Sequence, residues 1–413
     1  MPGDTPAAVP PSTYRSSSPE MNRLLIVLFW LELSGAGLRA QTPQLTPGPF
    51  PVGFTHLTVT DSTRPTPSSA THPLDIGIWY PSEPDTTSRL TYRDYFLLTP
   101  PPQDSIAPAE AARRELDGFA AFLAAHGADP TAVTTWLGSP MLATSDARPA
   151  AGRFAVVLVA QGNEQTLHDQ APLCEYLASH GFVVASAPSP MRTSGPLTDV
   201  EQGAARAQEQ AVDLAMVLAR VASRADADST RVGVVGHSFG ARAGLLLAMH
   251  DRRVGALVSL DGGIGTAAGR SSLEHAAWFS VGAARAPILH LYERLDQFMT
   301  PDFALLRSLG SSERWLVEAP AMHHHHFSSL GAVVASQPAL AAPLGASDRT
   351  PAAYVAVLEG ALGLLDHFLA SRPQSTSWPG KSGLPAPLTA AEHLAALSGN
   401  RTVQNTRSTA TPR

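Results

Sequence analysis

Cysteine is nearly absent from this chain, with one residue, Cys174, in 413. A single thiol cannot form an internal disulfide, so no disulfide framework supports the fold. Cys174 is expected to pack as a small buried hydrophobe. Charge is scarce as well: Asp, Glu, Lys and Arg make up 15% of the residues and the net charge is −6. There is no basic surplus to attract nucleic acid and no run of like charge that would form an interaction tail. Internal repeats are absent. The most apolar stretch near the N-terminus is too short to span a bilayer comfortably, so no transmembrane span is expected in the mature chain.

What remains is a core-forming composition, with 44% hydrophobic residues, and an N-terminal address. Residues 1–20 are rich in Pro, Ser and Thr and read as disordered. Arg23 then supplies a positive region, Leu24 to Leu33 an apolar one interrupted by Glu32, and Ser34 to Ala40 a run of mostly small residues. That is the anatomy of a secretory signal peptide, with Met21 an alternative start. Export to the periplasm or the extracellular space is expected, with the mature chain starting near Gln41. No cysteine follows the run, which argues against a lipid anchor there.

The rest divides into a catalytic-type domain over 41–371 and a Ser/Thr/Pro/Gly-rich tail over 372–413, read as loosely attached with one weak helical patch at "TAAEHLAAL". "VGFTHLTVTDSTR" and "PLDIGIWYPS" read as two antiparallel strands joined by a Pro/Ser/Thr-rich turn. Residues 85–150 form a lid-like helical insertion. One helix there carries Leu116, Phe119, Ala120 and Leu123 on a single face, and a second starts at Asp129 as N-cap with Pro130 behind it. From residue 153 apolar runs alternate with amphipathic segments: "RFAVVLVA", "FVVASAP", "RVGVVGHS", "VGALVSLDGG", "APILHLYE" and "SERWLVEAP" as strands, with helices between most of them. Strand–helix alternation implies a mainly parallel sheet with helices on both faces.

The chemistry begins at "GHSFG", Gly236 to Gly240. The five-residue pattern alone is weak, but an apolar strand runs straight into it and a helix straight out. A serine on such a sharp turn is strained and exposed above the sheet, which makes Ser238 the candidate nucleophile. A hydroxyl needs a base to take its proton. Two acids stand at strand ends further on, Asp261 after "VGALVSL" and Asp296 in "PILHLYERLD". The loop after the last strand holds four consecutive histidines, His323 to His326. Oxyanion donors are expected from the backbone N–H of Phe239, after the nucleophile, and from the loop around Gln161-Gly162-Asn163-Glu164.

These residues resemble the α/β-hydrolase superfamily over about 52–370. Within it the chain is similar to platelet-activating factor acetylhydrolase and bacterial dienelactone-hydrolase-like esterases. The elbow Gly-His-Ser-Phe-Gly, an acid in a Leu-Asp context 23 residues after the serine, and a His-x-x-Phe pattern at His324 to Phe327 carry the resemblance. It implies Ser238, Asp261 and His324 as catalytic residues, with Asp296, His323 and His325 as alternatives, and Asn163 with Phe239 at the oxyanion hole. It also implies a small ester or lipid-derived substrate with short or oxidised acyl groups. No cofactor or metal is expected, because serine chemistry needs no Lewis acid. The chain departs from the family pattern at Ala160-Gln161-Gly162, at Ala241, and over 85–150.

The expected function is therefore a secreted serine hydrolase acting on carboxylic esters. A peptidase or amidase of the same fold is the nearest alternative. From other classes come a hydrolase-like domain that only binds, and a metal protein built on His323 to His326. The last is weakened by spacing, since adjacent side chains on an extended loop diverge whereas metal ligands are usually spaced wider.

Overall fold

A computed structural model describes residues 45–64, 71–98, 107–194, 197, 199–370 and 383–397. All belong to one compact unit, Ala40–Arg413. The proposed export signal and the turn at 65–70 lie outside the described residues.

Eleven strands form one sheet: β1 Val52–Asp61, β2 His72–Pro81, β3 Arg89–Thr91, β4 Pro140–Ser145, β5 Phe154–Ala160, β6 Phe182–Ala187, β7 Ala227–His237, β8 Val254–Leu260, β9 Ile288–Tyr292, β10 Arg314–Glu318 and β11 Thr389–Leu394. Their order across the sheet is β11-β10-β9-β8-β7-β5-β6-β2-β1-β4-β3. From β6 through β5, β7, β8 and β9 to β10 every pairing is parallel. The two early strands pair antiparallel, as expected, and β2 joins β6 in the same sense.

The central strands read as unbroken apolar runs because both faces are covered. On β5, Val156 and Leu158 face the layer that holds the helices Val200–Val221 and Gly240–His250. Ala155, Val157 and Val159 face the opposite layer, with the helices Ala171–Ser179 and Thr350–Leu369. All five are at most 4% exposed, and each larger side chain so buried contributes about 1.5–3 kcal/mol. Among the described residues the helix Thr350–Leu369 is the one long and apolar enough to cross a membrane. It is instead the packing partner of the sheet, with Tyr354, Val357, Leu364 and Leu365 buried. Cys174 is fully buried in the same layer.

Two expectations need correcting. The patch "TAAEHLAAL" is not helical and this part of the tail is not loose. Thr389–Leu394 is β11, antiparallel to β10 with a bulge at Leu316/Val317. Without it, β10 would present an unpaired edge, and pairing outweighs the local helix preference of Ala, Glu and Leu. Side chains fasten it: Arg307 to Glu392 at 2.8 Å, His393 to Glu313 at 2.9 Å, and the His393 ring stacked on Trp315. The segment 85–150 is likewise not purely helical. It does contain the two expected helices, Pro108–Ala125 and Pro130–Leu137, the second capped by the Asp129 carboxylate. It also supplies β3 and β4, which extend the sheet beyond β1. Its apolar side chains, Leu116, Leu123 and Trp136 among them, form a third core with Leu340 and Leu344. Glu115 clasps Arg192 through two bonds of 3.0 and 3.2 Å and His168 at 3.2 Å. The segment thus flanks the loop that follows β5.

The chain leaves β5 for β6 on one side and later returns to β7 on the other. The strand order reverses there, and in open α/β sheets such a reversal is where ligands bind, beyond the carboxyl ends of the strands.

Candidate active site

Ser238 follows β7 directly and has φ of 52°, in the left-handed region. A non-glycine residue pays about 1–2 kcal/mol to be there, and the surroundings hold it. Its N–H donates to the Leu260 carbonyl at 3.1 Å and its own carbonyl accepts from Gly263 at 2.9 Å. The turn is so tight that a Cβ on Gly236 would lie 2.5 Å from Ala241 Cα, and one on Gly240 2.2 Å from the Ala160 carbonyl oxygen. Ala241 takes the space that a Cβ on Gly262 would need.

The structure brings Ser238, His324 and Asp261 into one chain of hydrogen bonds. His324 Nε2 is 2.9 Å from Ser238 Oγ, and His324 Nδ1 is 2.5 Å from Asp261 Oδ2. A carboxylate can only accept, so Nδ1 carries the ring proton and the Nε2 lone pair faces the hydroxyl. Asp261 is 2% exposed, and its second oxygen accepts the Glu293 N–H at 3.2 Å. The imidazole is therefore oriented to take a proton from Ser238, with a buried carboxylate placed to stabilise the charge that results.

The alternatives find other work. Asp296 reaches neither Ser238 nor the ring of His324. It accepts from the His324 backbone N–H at 2.7 Å and from His323 Nδ1 at 2.9 Å. Burial alone would raise the Asp296 carboxyl, but these two donors outweigh it and hold it below its usual range. The same pairing with Asp296 raises His323. The His323 N–H donates to His326 Nδ1 at 3.0 Å, so the His326 proton is on Nε2, which donates to the Leu344 carbonyl at 3.0 Å. His325 Nε2 donates to that same carbonyl at 2.9 Å. Burial lowers His325 to about 4 and His326 well below its usual value, so both are neutral. One histidine of the run meets the serine and three brace the loop. Among the described residues no three His, Cys, Asp or Glu side chains converge as a metal set would.

The oxyanion loop lies against the elbow. The Gly162 N–H is taken by Gln165 Oε1 at 2.7 Å, and that oxygen also accepts from His237 Nδ1 at 2.8 Å. Among the described residues the N–H groups of Asn163 and Phe239 have no intramolecular acceptor, as donors reserved for a substrate oxygen require. His237 does more than the sequence suggested. Besides holding Gln165, its ring stacks on His324 at 4.9 Å. Burial first, then the neighbouring His324, keeps it neutral.

Glu293 was not legible as a site residue. It is fully buried at the end of β9, and its carboxylate accepts the N–H groups of Leu295 and Asp296. Burial, and then the charges of Asp261 and Asp296, raise it to about 7. A glutamate one residue past a strand end has no local feature that distinguishes it from a surface residue.

The profile of the Chlorophyllase family, of α/β-hydrolase type, matches residues 132–275, about a third of the chain. The matched stretch holds Ser238 and Asp261 and ends before His324. Among solved structures, a ferulic acid esterase from Streptomyces cinnamoneus superposes with a TM-score of 0.60 at 21% identity, over 83% of this chain and 97% of that one. No match is found among curated proteins. At that identity the likeness establishes the fold: this chain has the α/β-hydrolase fold, with a mixed eleven-stranded sheet.

Two outcomes follow from the geometry. Asp261→Asn should slow fluorophosphonate labelling of Ser238 by roughly 10⁴-fold, because the wrong tautomer of His324 is stabilised. Asp296→Asn should slow it roughly tenfold, through a looser base loop. Equal losses, or the reverse ranking, would contradict the assignment. Glu293 keeps its proton to about pH 7 in the fold but releases it near its ordinary 4.5 when unfolded. Stability at this position should therefore fall as pH rises from about 4.5 to about 7. Glu293→Gln should raise the melting midpoint relative to wild type more at pH 8 than at pH 5, and equal shifts at both would refute the buried-acid reading.

Proposed function

We propose that this chain is a serine hydrolase that cleaves carboxylic esters through an acyl-enzyme. The observation that carries the reading is the continuous Asp261–His324–Ser238 relay, with contacts of 2.5 and 2.9 Å, at a strained strand-to-helix turn. Ser238 Oγ attacks the ester carbonyl as His324 Nε2 takes its proton. The carbonyl oxygen gains charge toward the Phe239 and Asn163 N–H groups, each worth on the order of 3 kcal/mol to the transition state. His324 returns the proton to the departing alcohol, and water then repeats the sequence in reverse to free the acid. No step calls for a cofactor or a metal.

Platelet-activating factor acetylhydrolase-like specificity, for short or lipid-derived acyl groups, is the finer proposal. Its support is the Gly236 to Gly240 elbow, the position of Asp261 and the His324 to Phe327 pattern. The structural relative, a ferulic acid esterase, supports ester cleavage in general. Export is proposed from the charged, apolar and small-residue order of residues 21–40. The metal reading gains no support, because ring nitrogens of all four histidines bond to Asp296, to Ser238 with Asp261, to Leu344 and to the His323 N–H.

The test is hydrolysis of a series of p-nitrophenyl esters of rising acyl length, with an anilide as amide control. Esters should be cleaved, shorter acyl chains best, and the anilide barely. Ser238→Ala should fold normally and lose several orders of magnitude in rate, and a chelator should leave the wild-type rate unchanged. Near-native turnover by Ser238→Ala would overturn the proposal, and loss on chelation restored by zinc would favour metal chemistry.

A further inference from the structure

The loop after β9 does two things at once. Asp296 anchors it, with its backbone N–H on Glu293 and its carboxylate on the base loop. On either side of Asp296, the loop turns large apolar side chains into solvent: Leu295 is 53% exposed and Phe298 61%. Of the six large apolar side chains so exposed among the described residues, two fall within these four positions. Phe298 is on the short helical turn Gln297–Met299, and its ring meets the His324 imidazole edge to face at 5.1 Å and 82°.

That contact fixes which part of an ester Phe298 can touch. When the ester bond breaks, the acyl carbon stays on Ser238 Oγ and the alcohol oxygen leaves with the proton that His324 Nε2 took from the serine. To receive it, that oxygen must come within about 3 Å of Nε2. The group attached to the oxygen then extends past the imidazole that Phe298 packs against. We infer that Phe298 and Leu295 form the alcohol-side wall of the site, and that the leaving alcohol carries an alkyl or aryl group. An exposed apolar surface gains by covering such a group. This rests on the ester-hydrolase reading and adds the class of alcohol to it.

The experiment varies the alcohol and the acyl group separately. Acetates of methanol, butanol and benzyl alcohol have leaving groups of similar intrinsic reactivity, and methyl esters of acetic, butyric and hexanoic acid vary the other side. Wild-type kcat/KM should rise from methyl to butyl and benzyl acetate. In Phe298→Ala the benzyl acetate value should fall by about tenfold, mainly through KM, while methyl acetate changes less than about twofold. Leu295→Ser should act in the same direction and more weakly, and the acyl series should keep its wild-type ratios in both variants. A uniform loss on every ester would show that Phe298 only steadies His324. A change confined to the acyl series would put the wall on the wrong side, and no change would remove it. Any of the three overturns the inference while leaving the hydrolase standing. Failure of wild type to cleave any ester, with Ser238 unlabelled by a fluorophosphonate, would instead overturn the hydrolase reading.

Discussion

The rest of the structure answers to one constraint: a single imidazole must touch the hydroxyl of Ser238 and the carboxylate of Asp261 at the same time. The three groups come from the ends of three different strands, β7, β8 and β10, separated by 23 and 63 residues. Parallel pairing brings those carboxyl ends to one edge of the sheet, beside the reversal of strand order at β5. The apolar burial on both faces of β5, β7 and β8 makes that edge rigid, so contacts of 2.5 and 2.9 Å can be held without help from substrate.

The strain in the backbone gathers at the same place. Five non-glycine residues among those described have positive φ, and four of them are Glu164 in the oxyanion loop, Ser238, Asp261, and Ala321 at the entry to the base loop. Each conformation costs on the order of 1–3 kcal/mol, and for three of the four surrounding bonds offset it. Ser238 is held through Leu260 and Gly263, Asp261 through the Leu291 carbonyl, and Ala321 through Thr350 Oγ1 at 2.6 Å. The polar network beneath has the same logic. His237 links the elbow to the oxyanion loop, Asp296 links the β9 loop to the base loop, and Glu293 ties Asp296 back to the backbone beside Asp261.

Local patterns made much of this legible. The runs that became β5 to β10 are apolar on both faces, a property a sequence displays directly. The elbow was legible because its glycines and serine are contiguous. The register of the histidine run was only partly legible: the His-x-x-Phe pattern pointed to His324 and left His323 and His325 open, and the contacts with Ser238 and Asp261 single out His324. Other features depend on partners remote in sequence. "TAAEHLAAL" looks helical until β10 offers it an edge. Asp261 and Asp296 both follow strands, and only their placement around His324 separates an acid on the ring from an acid on the backbone N–H. Glu293 gains its character from burial beside Asp261, which no neighbouring residue announces.

The central claim is that one histidine of four carries the proton and the other three hold the loop. Its most direct test is turnover of p-nitrophenyl acetate by the four single alanine variants of His323 to His326, each first checked for a native melting transition. His324→Ala should lose at least about 10³-fold, and the other three roughly tenfold at most. A comparable loss at His323, His325 or His326 with His324→Ala still active would contradict the account.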